Sequence, residues 1–153
     1  MLFLVVASMN AQLETTTYRG AFAPAPTAMW TDNWTNFDPQ NAAYPTPTVN
    51  VTTSITVDTR WTAGNTYYLR GQIYVKNNAT LTIEPGVVVR GVAADAGAGL
   101  FITKGAKLIA EGTATSPIVF TSDKAVGARV KGDWGGIIFL GKGLLNTNEI
   151  DRF

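Results

Sequence analysis

From Val49 onward, apolar and polar residues alternate in short runs that are broken repeatedly by Gly, Asn and Pro. Period-two alternation puts every second side chain on one face of a strand, and the breakers supply the corners. The phrase Ile73-Tyr74-Val75-Lys76-Asn77-Asn78-Ala79-Thr80-Leu81-Thr82-Ile83-Glu84-Pro85-Gly86 returns 27 residues later as Leu100-Phe101-Ile102-Thr103-Lys104-Gly105-Ala106-Lys107-Leu108-Ile109-Ala110-Glu111-Gly112. A shorter echo sets Phe139-Leu140-Gly141-Lys142-Gly143 against Phe101-Ile102-Thr103-Lys104-Gly105. A unit of this length buries its apolar face by stacking on the next one, which is the logic of a solenoid.

The pattern predicts strands over residues 49–57, 67–69, 73–75, 81–83, 87–89, 100–102, 107–109, 118–120 and 134–140. Residues 58–65 read as a turn-prone stretch, and Asn77-Asn78 and Pro85-Gly86 as tight corners. No segment carries a 3.6-residue period with caps. Three short strands per turn without helices predict an all-β fold, a right-handed parallel β-helix over residues 49–153. Inward side chains of such a coil stack at an inter-strand spacing of about 4.8 Å. Ile73, Val75, Leu81 and Ile83 are therefore expected to lie on Leu100, Ile102, Leu108 and either Ile109 or Ala110.

Residues 1–11 read as the end of a secretory signal whose start is cut short, with cleavage after Ala11. The apolar run is too short to span a bilayer, and a small residue precedes Gln12. The plainer alternative is a buried N-terminal strand. Residues 12–48 hold five of the seven prolines together with Phe22, Trp30, Trp34, Phe37 and Tyr44. Proline at this density disfavours helix and central strand, whereas the rings argue against disorder. An irregular Pro/aromatic-rich layer packed on an end or flank of the solenoid is expected. Residues 146–153 bring no polar closing unit, so the β-helix is expected to be incomplete at its C-terminal end. On that reading the chain is the N-terminal part of a longer protein, or a partner subunit supplies the cap.

Charged residues are sparse, at 15%, and Thr, Gly, Asn and β-branched residues take their place, as suits strands and turns. Net charge is +1, with no basic stripe interleaved with aromatics, which excludes the usual footprint of a nucleic-acid binder. The absence of Cys removes disulfides and thiolate metal sites. The absence of His also removes catalytic triads, neutral-pH proton shuttles and ordinary zinc sites. Neither a cofactor nor a metal is expected, and no stretch suits a transmembrane helix.

Candidate chemistry is thin. A glycosidase needs two carboxylates across the scissile bond, and the acids here are scattered. Glu84 and Glu111 occupy equivalent corners, each within two residues of a Gly, which favours turn chemistry over catalysis. No catalytic residue is assigned. Trp30 and Trp34 could stack on sugar rings or simply anchor packing. Asp123, Arg129 and Asp133, with Lys124 and Lys131, form the richest charged cluster, in a loop that either contacts a ligand or is merely solvated.

The run from Leu108 to Ser122, followed by Gly132-Asp133-Trp134-Gly135-Gly136-Ile137-Ile138, resembles secreted β-helix proteins of Bacteroidota, and Trp34-Thr35-Asn36-Phe37-Asp38-Pro39 is similar too. The resemblance covers nearly the whole chain. It implies an exported protein, often one with a C-terminal sorting domain for the type IX secretion pathway, and a structural role for Trp134-Gly135-Gly136. The expected function is a secreted or cell-surface module with a structural or adhesive role. Its partners would be extracellular polysaccharide, other surface proteins, or further copies through open coil ends. The alternatives are the N-terminal part of a polysaccharide lyase or glycosidase with its site on other coils, and a subunit of an extracellular filament or envelope assembly.

Overall fold

The computed structural model describes residue 36 and residues 38–143. A 3₁₀ turn, Pro39–Asn41, precedes ten strands: β1 Val49–Val51, β2 Thr59–Trp61, β3 Thr66–Leu69, β4 Gln72–Val75, β5 Thr80–Ile83, β6 Val88–Gly91, β7 Gly99–Ile102, β8 Lys107–Ala110, β9 Val119–Ser122 and β10 Ile137–Phe139. They form three sheets, β1-β3-β6-β9, β4-β7-β10 and β2-β5-β8. Every pairing is parallel and joins a strand to one a full turn of chain away. This is a parallel β-helix. An isolated bridge from Ile55 to Val75 gives the second sheet a rudimentary first rung.

The register follows from which side chains must face inward. Ile73 pairs with Leu100 and Val75 with Ile102. Leu81 pairs with Leu108, and Ile83 with Ala110. With Leu69, Val87 and Val89, residues Ile73, Val75, Leu81, Ile83, Leu100 and Ile102 fill the space between the sheets; Leu108 packs on them half-buried, and Ala110 is exposed. Full burial of a Leu, Ile or Val contributes about 1.5–3 kcal/mol, so the stacked column supplies most of the driving force. The corners allow it: Asn77 and Asn78 both take left-handed φ values, 60° and 59°, which few side chains tolerate.

Three parts of the pattern mislead. Residues 49–57 are not one strand, because the chain turns a corner around Thr53 and Ile55 already belongs to the second sheet. The corner preserves parity, so Val49, Val51 and Ile55 all pack on the core while Val57 is left 69% exposed. The turn-prone stretch after it contains β2, whose Trp61 faces inward and stacks on Tyr67 with ring centroids 4.6 Å apart. The short echo is also offset by one residue, since Phe139 pairs with Ile102 and Ile138 with Phe101. A one-residue slip moves every side chain to the other face, so Phe139 takes an inward position and Ile138 an outward one.

The outer face of the first sheet is unusually dry. Thr66, Val88 and Arg90 point away from the core yet are buried. The chain between the 3₁₀ turn and β1 runs against this face, with no regular structure over residues 42–48. Thr48 N–H donates to the Thr66 carbonyl at 2.9 Å, and Arg90 Nη1 donates to the Pro45 carbonyl at 3.4 Å.

Candidate functional site

Between β9 and β10 the chain makes its longest excursion, residues 123–136, and three of the predicted ligand residues fall there. Asp123 continues the ladder of the first sheet by donating its N–H to the Gly91 carbonyl at 3.0 Å. Its carboxylate accepts the Ala93 N–H at 2.8 Å and so fixes the loop that leaves β6. Asp133 closes a turn by accepting the Val130 N–H at 2.9 Å. That bond, then one from the Ser122 hydroxyl, holds its carboxyl below the ordinary value; slight desolvation opposes the shift and the Lys124 charge adds to it.

Arg129 reaches furthest. Its Nη1 donates to the carbonyls of Pro39, Gln40 and Ala42 at 3.1, 3.2 and 2.7 Å. Its Nε donates to the Lys124 carbonyl at 3.2 Å, and the guanidinium lies 4.8 Å from the Tyr44 ring centroid. A planar fork of donors suits several carbonyls at once, which an ammonium would not. Gly127 N–H adds a bond to the Gln40 carbonyl at 2.9 Å. The excursion is thereby sewn to a segment almost ninety residues earlier.

Arg90 does the same from below, and its sequence neighbourhood gives little sign of it. Its head donates to the carbonyls of Ser122, Pro45, Asp123 and Lys124 and faces the Tyr68 ring. A buried guanidinium with carbonyl partners avoids the desolvation cost of an unsatisfied charge. The only sequence signal is a lone arginine inside an otherwise apolar strand, Val87-Val88-Val89-Arg90.

An open cleft of about 370 Å³ lies where these pieces meet. Phe120, Thr121 and Ser122 of β9 line it together with Pro39, Gln40, Arg129, Lys131 and Trp134. Trp134 is half-buried against the core and seated on Gly91, where an added Cβ would fall 2.5 Å from its ring. Gly135 then donates its N–H to the Ala98 carbonyl at 2.6 Å, which starts the next rung. Ring faces, a guanidinium, an ammonium and an amide around one concavity can hold a polyhydroxylated or acidic ligand.

Of the predicted ligand residues, the fold brings Asp123, Arg129 and Asp133 into one loop, but only Arg129 lines the cleft. Trp30 and Trp34 lie outside the described residues. Glu84 and Glu111 follow paired strands at the same corner of successive coils. Glu84 Oε1 accepts Arg60 Nε at 2.6 Å and Oε2 accepts the Ala63 N–H at 2.8 Å. The Ala63 bond, then the Arg60 bond, lowers the Glu84 pKa. Among the described residues no group of three or more acids could hold a metal ion, and no helix is long and apolar enough to cross a membrane.

Three parallel sheets wound into stacked coils, with a cleft on the flank, define the class. At the family level, residues 52–152 match the model of the pectate-lyase-like beta helix domain, and the chain belongs to that family. No curated protein and no solved structure matches the chain.

Proposed function

We propose that this protein is a secreted or cell-surface β-helix module with a structural and adhesive role, which holds extracellular polysaccharide without cleaving it. The observation that carries this reading is the use made of the carboxylates. Asp38 accepts the Asn41 side-chain amide, Asp58 accepts the Thr80 N–H, and Asp95 faces Arg70. Glu84, Asp123 and Asp133 hold turns in the same way. A glycosidic acid needs a raised pKa and an open approach to the leaving oxygen; Glu84 and Asp133 are held low by their amide donors, and the other carboxylates are tied into turn and loop contacts. The cleft offers what binding alone requires, with the rings of Phe120 and Trp134 beside Gln40, Thr121 and Lys131.

Export by a type IX pathway, as in the Bacteroidota proteins that the chain resembles, belongs to the same proposal. The apolar run before Ala11 supports it. Membership of a pectate-lyase-like family favours a second reading, in which the chain is the N-terminal part of a carbohydrate-active enzyme with its site on other coils.

One assay separates the two. The protein is incubated with a panel of acidic and neutral glycans while binding is followed by calorimetry and cleavage by new reducing or unsaturated ends. Binding without cleavage, weakened by Gln40→Ala and Lys131→Gln, is expected. Cleavage lost in Glu84→Gln or Glu111→Gln, with an unchanged circular dichroism spectrum, would replace the adhesive reading with the enzymatic one.

A further inference from the structure

The corner between the second and third sheets carries a feature that the linear sequence hides. Ile55, Val75, Ile102 and Phe139 are stacked neighbours in the second sheet. The residues that follow them therefore share one edge: Val57 in the first coil, Lys76 in the next, Lys104 in the third, then Leu140 and Lys142. Lys107 heads β8 beside Thr80 on the same edge. The Lys142 ammonium lies 3.6 Å from where a Gly105 Cβ would sit, which shows the stacking directly. All four lysines are exposed. Among the described residues the carboxylate at this corner is Asp58, and it is engaged by the Thr80 N–H. The Arg60–Glu84 and Arg70–Asp95 ion pairs lie at other corners. A chain with a net charge of +1 thus concentrates four ammonium groups over three coils, about 10 Å at the strand spacing.

The same edge carries exposed aliphatic side chains. Val57 is 69%, Leu140 48% and Ile109 42% exposed, and Ile109 stands two residues from Lys107 on the same strand face. None of these seven residues lines the cleft. A soluble polyanion would pair with Lys76, Lys107 and Lys142 and leave the aliphatic groups in water. An anionic bilayer satisfies both, because phosphate headgroups meet the ammonium ions while Val, Ile and Leu enter the headgroup–acyl boundary. The lysine stems are long enough to reach phosphates on either side of the edge.

We infer that this lysine edge is a peripheral docking surface for an anionic phospholipid bilayer. The test is co-sedimentation of the full chain with vesicles of phosphatidylcholine alone or mixed with phosphatidylglycerol. Binding to the mixed vesicles only, weakened by added salt, is expected. Each Lys→Gln change should lower partitioning about fivefold, and Lys76→Gln/Lys107→Gln/Lys142→Gln together on the order of a hundredfold. Val57→Ser/Leu140→Ser should remove the part of the binding that survives high salt. The changed side chains are exposed, and circular dichroism checks that each variant is folded. Equal binding to neutral vesicles, or undiminished binding by the triple lysine variant, overturns the inference. So does capture of heparin through the same lysines without any vesicle binding, which would make the edge a reader of soluble polyanions.

Discussion

Inside the coils, Leu69, Ile73, Val75, Leu81 and Leu100 are buried to within 1% of their surface, and their side chains meet by close packing alone. On the shoulder, where residues 123–134 meet residues 39–45, the contacts are of the opposite kind. There Arg90 and Arg129 bind backbone carbonyls of Pro39, Pro45, Asp123 and Lys124, among others, through directed bonds. Packing is non-directional and tolerates swaps that keep volume, whereas a guanidinium fork is tied to one geometry. The repeat therefore builds the interior without help from the shoulder. The shoulder exists only once the interior has brought its separate segments together.

The largest expected effect sets the two sides of one strand pattern against each other. Ile102→Asp places an unpaired charge among Val75, Leu100 and their neighbours, and a loss of about 4 kcal/mol or more should leave little folded protein. Val57→Asp, at an alternating position that the corner leaves outside, should stay within about 0.5 kcal/mol of the parent. Thermal unfolding followed by circular dichroism reads both. A folded Ile102→Asp would mean that the interior is not close-packed.

On the shoulder, Arg90→Met should cost about 1.5–3 kcal/mol, because charge-assisted bonds to several carbonyls are lost at a buried position. Arg90→Lys should recover little, since an ammonium cannot span the same acceptors. Limited proteolysis should then cut within residues 123–130 while the coils resist. If the whole chain unfolds together instead, shoulder and interior are one cooperative unit.

Where the two regions join, Gly91→Ala should cost about 1–3 kcal/mol through the clash with the Trp134 ring. Combining it with Trp134→Ala should be less damaging than the sum of the two, and a double-mutant cycle measures the difference.

The smallest effect is acid sensitivity. The Glu84 pKa is lower in the folded chain than in the unfolded one, so its contribution is fully present above the ordinary carboxylate value and fades as pH falls towards the folded value. Glu84→Gln should therefore flatten the loss of melting temperature on acidification and change little at neutral pH. An unchanged acid profile would show that the Ala63 and Arg60 bonds do not persist in solution.

The alternation of residues 73–83 and 100–110 determined the solenoid, the 27-residue register and the inward column, because period-two burial and repeat stacking are local rules that neighbouring residues enforce. Asn77-Asn78 and Pro85-Gly86 announced their corners for the same reason. Tertiary structure alone decided the rest. The bend at Thr53 kept parity and so left no trace in the pattern, and the one-residue offset of Phe139 was set by how β10 pairs with β7 after the long excursion. The cleft draws on Pro39, Phe120 and Lys131, and the lysine edge on coils that are distant in sequence. A periodic sequence specifies which faces meet. It does not specify what the corners and excursions bring side by side, because those distances are set by the winding of the whole chain.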